Sequence, residues 1–340
     1  MKAAIFHEHG DASVLRIEDV PPPVAAPGEV LVRVKAAALN HLDIWTRKGL
    51  PMEITMPHIG GSDVAGVVEA LGDGVTGVQL GARVVINPSL SCGQCEWCRA
   101  GEAPLCVDYK ILGEHTNGGF AELVAVPAMN LFPIPTDFPF EDAAAAPLAY
   151  LTAWRALTSR GRLRKGNTVL ITGASGGVAT AAIQIAKHLQ ATVYALTTGD
   201  NVERVRALGA DVVYDRNEGD FSKRIWEDTN KRGVDVVLDS VGEAIWKQCV
   251  RALARGGRLV SYGGTTGPKA ELDIRVLFWK QIEVLGSTMS NRSEFEEVMR
   301  LVFSGALKPV VDTVMKLDDI RAAHERLERG QQFGKIVVKP

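Results

Sequence analysis

Residues 168–187, TVLITGASGGVATAAIQIAK, constrain the fold more than any other stretch. Thr168, Val169, Leu170, Ile171 and Thr172 form a short apolar, β-branched run, the pattern of a buried strand. Gly173, Ala174, Ser175, Gly176 and Gly177 interrupt it with residues of little side-chain bulk. Val178, Ala182, Ile185 and Leu189 then recur at helical spacing. Strand, small-residue turn and helix make the first unit of a doubly wound, parallel-sheet (Rossmann) dinucleotide-binding domain. Backbone N–H groups in such a turn can approach a pyrophosphate, and the helix N-terminus adds partial positive charge. Ala174, Gly176 and Ala179 hold the three glycine places of G-x-G-x-x-G. Gly176 keeps the place where the backbone nears the phosphates, and Ala at the third place is an accepted variant.

A chain of 340 residues has room for two domains. Its formal charge is 38 − 40 = −2, with the acids dispersed, so neither a nucleic-acid footprint nor an acidic tail is present. The first ten residues lack a secretory apolar region, and no run of about 18 apolar residues occurs. A cytoplasmic protein acting on a small molecule, with no nucleic-acid or membrane partner, is the expectation.

Strand-like runs at residues 2–6, 14–18, 30–37, 64–71 and 83–87 are separated by proline and glycine turns, as in a small β-barrel. Four of the five cysteines then fall within fifteen residues. Cys92, Cys95, Cys98 and Cys106 have the spacing C-x2-C-x2-C-x7-C, which lets four thiolates converge on one tetrahedral zinc. Four protein ligands leave no place for water, so this metal is structural. Cys249 reads as a buried small residue.

The segments PGEVLVRVKAAALNHLDIW, PHIGGSDVAGVVEALG and VQLGARVV, with the turn at residues 173–179, resemble the medium-chain dehydrogenase/reductase superfamily. The resemblance implies a GroES-like β-barrel catalytic domain over 1–138 carrying the zinc lobe at about 91–110. A Rossmann NAD(P)-binding domain would span 139–280, and residues 281–340 would return to the first domain. Alcohol-oxidising members of that family hold a catalytic zinc with Cys, His and Cys. Those places here read Asn40, Ser62 and Leu148, which cannot make a thiolate/imidazole shell. The proton-relay hydroxyl is replaced by Leu42. The pattern N-x-x-D followed by G-S-D resembles instead the quinone oxidoreductase and enoyl reductase branch, although many members of that branch lack the cysteine lobe. The resemblance therefore implies NAD(P)H-dependent reduction of quinones, enones, enals or enoyl thioesters without a catalytic zinc. Two other readings stand beside it: a zinc alcohol dehydrogenase using His41 or His58, and a non-catalytic, crystallin-like NADPH-binding protein.

The resemblance also assigns residues. Asn40 is either a backbone cap or a contact to the nicotinamide or a substrate carbonyl. Thr152 is either a self-bonded helical threonine or a nicotinamide contact. The phosphate turn is Ala174, Ser175, Gly176, Gly177 and Val178. No acid stands at the tip of the second strand, where Thr197 and Thr198 occur with Arg204 nearby; this favours NADPH over NADH. Tyr214 resembles a tyrosine on the adenine side, and Gly242, Gly263 and Gly264 line the cleft at strand ends. Lys335 is either solvated or near the cofactor phosphates. A long helix is expected over 140–161. A homodimer or homotetramer is implied, with residues 284–286 as a pairing edge.

Overall fold

Residues 29–38, EVLVRVKAAA, alternate half-buried and buried side chains toward one end and become wholly buried small residues at the other. That pattern suits a strand with one wet face that runs into a core. The computed structural model describes all 340 residues and contains two compact units, Met1–Leu148 with Ser290–Pro340, and Ala149–Met289.

In the first unit, Glu29–Ala38 is the central strand. It pairs antiparallel with Asp63–Leu71 on one side, and with Leu123–Pro127 and then Lys335–Lys339 on the other. Arg83–Ile86 and Leu131–Pro133 extend the sheet one way, and Val311–Lys316 the other. Lys2–Phe6 pairs with Arg16–Asp19 and His58–Ile59 in a second sheet. Val30, Val32, Val64, Phe120 and Val126 fill the interior. Gly66 is required here, because a Cβ would fall 2.2 Å from the carbonyl oxygen of Arg33.

The second unit is a six-stranded parallel sheet in the order Val212–Asp215, Thr192–Thr197, Thr168–Ile171, Val234–Asp239, Leu253–Ser261, Glu283–Gly286. Numbered along the chain this is 3-2-1-4-5-6, the doubly wound dinucleotide-binding order. The direction of the strand order reverses between Thr168–Ile171 and Val234–Asp239, the point at which sheets of this order bind ligands, outside the carboxyl ends of the strands.

Two expectations are corrected. The segment 140–161 is not one helix: Phe140–Ala144 ends before Pro147, which opens Pro147–Arg155, and a π-turn Ala156–Arg160 follows. Proline's missing N–H and its ring explain the break. The second unit also runs beyond residue 280, to Met289, because Glu283–Gly286 pairs with Leu253–Ser261 and belongs to that sheet.

Candidate active site and metal centre

The strand Thr168–Ile171 gives way to Gly173, whose φ of +58° is a left-handed conformation, and Gly176 then caps the helix Gly177–His188. No side chain caps that N-terminus. The Cα of Gly176 faces open space: the one heavy atom near a Cβ built there is the carbonyl oxygen of Gly173, at 3.4 Å. Uncapped N–H groups beside an open glycine fit a pyrophosphate. Ala174 is fully buried and its N–H donates to the carbonyl of Leu196, so it shapes the turn from below. Ala179 is buried where the helix meets the sheet.

Asp239, absent from the residues expected at the site, holds the facing loop. Its buried carboxylate accepts from the hydroxyl of Thr172 at 2.6 Å and from the N–H groups of Val241 and Gly242 at 3.1 and 3.0 Å. Burial pushes its pKa up. Gly242 has φ +82°, and a Cβ on it would stand 3.0 Å from the Cα of Gly264, so the glycines of two strand ends need each other's lack of bulk.

At the tip of the second strand, Thr197 is buried with its hydroxyl unpartnered, Thr198 is half-buried, and Arg204 is exposed on the helix Val202–Ala207. Arg216 was missed from sequence. Its N–H donates to the carbonyl of Thr197 at 2.9 Å, which brings an exposed guanidinium side chain to that tip. A basic residue just past the third strand was the available signal. Tyr214 requires correction: it is 1% exposed, stacks on Tyr194 and donates to Asp228 at 2.5 Å, so its ring belongs to the core and offers no face to adenine. Thr152 lies buried in Pro147–Arg155.

In the first unit Asn40 and Leu148, two of the three places where zinc ligands would stand, meet at Asp63, the residue after the third, Ser62. Asn40 caps the helix His41–Lys48, and its backbone N–H donates to Asp43 at 2.7 Å. The other oxygen of Asp43 accepts from Gly61, at 3.0 Å. Burial raises the Asp43 pKa to about 7 against those two hydrogen bonds. Burial, and then the Asp43 charge, raise Glu114 to about 7 as well. The Asn40 amide donates to Asp63 at 2.9 Å, and the other Asp63 oxygen accepts the N–H of Leu148 at 2.7 Å. Ser62, next to Asp63 in the chain, is fully buried with its hydroxyl unpartnered. Burial, and then the charge of Lys335, lower the His41 pKa, and His58 Nε2 lies 3.0 Å from the carbonyl of Gly113.

Lys335 also differs from its expectation. It is 4% exposed, and its ammonium donates to Asn40 Oδ1 at 2.5 Å and to Asp63 at 2.8 Å. The phosphate role expected for it gives way to a place in this network. Sheet register explains the meeting: Val337 pairs with Ala38, so two residues further out Lys335 faces Asn40, while Asp63 flanks Ala38 on the opposite side.

The ligand sulfurs of Cys92, Cys95, Cys98 and Cys106 all lie within 4.8 Å of one another. Cys92 and Cys98 are 3.9 Å apart, and Cys92 and Cys106 3.5 Å. A zinc tetrahedron with Zn–S of about 2.3 Å has edges of about 3.8 Å, so the donors fit a closed structural zinc site. The backbone N–H of Cys98 holds the Cys95 thiol down to about 6. Zinc analysis is expected to give one ion per chain. Cys106→Ser should release it and lower the melting temperature by roughly 5–10 °C, the size of ~2–4 kcal/mol in a domain of about 200 residues.

Residues 26–136 match the family described as the alcohol dehydrogenase GroES-like domain, and residues 177–304 match the zinc-binding dehydrogenase family. An acryloyl-coenzyme A reductase of Sulfurisphaera tokodaii is 30% identical over 343 residues, covering 100% of both chains. A crystal structure described as an NAD-dependent alcohol dehydrogenase is 43% identical with a TM-score of 0.97, again over 100% of both chains. A crotonyl-CoA carboxylase/reductase, AntE, in complex with NADP is 28% identical with a TM-score of 0.93, covering 100% of this chain and 94% of that one.

Proposed function

The chain belongs to the zinc-type medium-chain dehydrogenase/reductase superfamily as an NAD(P)H-dependent oxidoreductase, and from that premise we propose that it reduces activated C=C bonds without a catalytic zinc. Enoyl thioesters are the favoured substrate class, with enals, enones and quinones as further acceptors. The observation that carries the reading is the donor set: an amide, a hydroxyl and an alkyl group stand at residues 40, 62 and 148, and a lysine ammonium sits among them. Similarity to an acryloyl-coenzyme A reductase and to a crotonyl-CoA carboxylase/reductase supports the thioester class.

When bound, the nicotinamide supplies a hydride to the electron-poor carbon conjugated to the carbonyl. The chain's own residues do the rest. N–H groups at the start of Gly177–His188 hold the pyrophosphate. Asp239 fixes the loop through Gly242, which limits motion beside the cofactor. Charge that develops on the substrate oxygen is that of an enolate, far less basic than an alkoxide; hydrogen-bond donors stabilise it, and a proton from water then completes the reduction at the α-carbon. Asn40 is the donor. One N–H goes to Asp63, and the other has a 3.4 Å approach to the carbonyl of Ala38, a weak bond readily exchanged for a ligand.

Thr198, Arg204 and Arg216 favour the 2′-phosphate of NADPH. A panel of enoyl-CoA thioesters, enals and quinones with NADPH and NADH tests the whole reading, with primary alcohols and NAD+ as the opposing arm. Reduction of a conjugated thioester by protein holding one zinc per chain is expected. Alcohol oxidation that depends on a second zinc would reverse it.

The strand Glu283–Gly286 ends the sheet with one edge unpaired. Nearby in sequence, Phe278 and Trp279 are 61% and 69% exposed. An unpaired edge and exposed aromatic rings support pairing with a second copy. A homodimer mass is expected in light scattering, and Val284→Pro should shift it toward the monomer; an unchanged mass would count against this edge.

A further inference from the structure

The donor proposed for the substrate oxygen is a neutral amide, and a neutral amide is weak beside a metal. We infer that Lys335 is a positioning residue that fixes the orientation of the Asn40 amide and polarises it into a charge-assisted donor; this rests on the enoyl-reductase reading. Lysine has three N–H donors and no acceptor, so the Asn40 atom that faces it is the carbonyl oxygen. That determines the flip of the amide, and the NH2 group points to Asp63 and Ala38. Asp63 acts on the same side: it takes one Asn40 N–H, the ammonium and the Leu148 N–H, and is itself fully buried. From the other side, Asp43 holds the backbone N–H of Asn40. The amide is thus clamped at its backbone, its oxygen and one hydrogen, and the second hydrogen holds only the 3.4 Å contact to the Ala38 carbonyl, which a ligand can replace.

Burial makes the clamp electrically active. Asn40, Asp63 and Lys335 are 7%, 0% and 4% exposed, so water screens the ammonium poorly. A cation on an amide oxygen draws electron density from nitrogen and strengthens its N–H as a donor, an effect that low dielectric enlarges. Take the lysine away and the amide oxygen loses its cationic partner: Asp63 still holds one N–H, but the amide is no longer held at both ends or polarised as a donor.

Lys335→Met tests this on the full chain. Its kcat for enoyl thioester reduction should fall ~100-fold, the scale of losing one oxyanion donor, with KM for NADPH within ~3-fold of the parent. Asn40→Ala should lose as much, and Asn40→Ala/Lys335→Met should be within ~3-fold of Asn40→Ala alone, because the lysine acts through the amide. Should the bare Asp63 charge prevent Lys335→Met from folding, Asp63→Asn/Lys335→Met removes it and should show the same kcat loss. A second readout needs no turnover: in asparagine-15N protein, the Asn40 side-chain pair should resonate far from the other asparagines and move to the common range in the lysine variants. A Lys335→Met enzyme with kcat near the parent, additive losses in the double variant, or an unmoved Asn40 resonance would each overturn the inference. If the parent reduces no acceptor in the panel while the resonance moves, the clamp stands and the substrate assignment fails.

Discussion

Gly176→Asp should abolish useful NADPH affinity while leaving the free protein as stable as before, or more so. The two effects have opposite signs because the same position serves as helix cap and as phosphate seat. Gly176 has φ −76° and ψ 159°, extended backbone that any residue adopts, so no strain follows the substitution. Asp is among the best N-caps, and replacing an uncapped glycine should be worth a few tenths of a kcal/mol. The new carboxylate would project into the open space above Gly176, where backbone must approach the pyrophosphate. Like charge and lost approach together should raise the Kd for NADPH at least ~100-fold, or ~2.7 kcal/mol. Calorimetric titration gives the affinity, and thermal unfolding without cofactor gives the stability. NADPH binding within ~3-fold of the parent would show that the cofactor phosphates lie elsewhere.

That position was legible in the sequence because local chemistry dictates it. A β-branched run, a turn of small residues and a helical apolar stripe read as strand, turn and helix with no tertiary information, and residues 168–188 fold so. The cysteine lobe was legible for the same reason, since four ligands within fifteen residues must converge. What failed depended on partners far along the chain. Lys335 lies 295 residues from Asn40, and only the register of Lys335–Lys339 on Glu29–Ala38 brings the two together. A lysine ahead of a terminal strand has no local mark of burial. Tyr214 failed in the opposite direction. Its place after Gly209, Ala210 and Asp211 fits an adenine neighbour, but Asp228 and Tyr194 draw it into the core. Arg216 sits beside Thr197 through a bond between neighbouring parallel strands, a contact no spacing announces.

His324, which no motif marks, should govern much of the acid stability of the first unit. It lies on the helix Ile320–Glu328, 2% exposed, with its ring 6.0 Å from that of Phe120 in an edge-on contact. Neither ring nitrogen has a hydrogen-bond partner. Burial, and then the charge of Arg47, lower its pKa to about 3. Arg47 cannot move away, because it is itself fully buried and bonded to Glu328 and the carbonyl of Gly10. Between about pH 3 and 6.5 the unfolded chain therefore binds a proton at this residue that the folded chain refuses. Stability attributable to His324 is complete above pH 6.5 and is lost as pH falls toward 3, for a total of ~4–5 kcal/mol. Asp43 and Glu114 act with the opposite sign: their raised pKa values, about 7, make their contribution fall as pH rises from about 4 to 7. The parent's own pH profile mixes the two, so the comparison that isolates His324 is with His324→Phe, which leaves both acids in place. At pH 7.5 the two proteins should differ by no more than ~1–2 kcal/mol, since the imidazole makes no hydrogen bond to lose and the larger ring only tightens the packing. At pH 4.5 the variant should gain ~2–3 kcal/mol relative to that baseline, read as the shift in urea midpoint. Parallel pH profiles would mean that His324 finds a partner on protonation, and that the acid limb of this fold is set by its carboxylates.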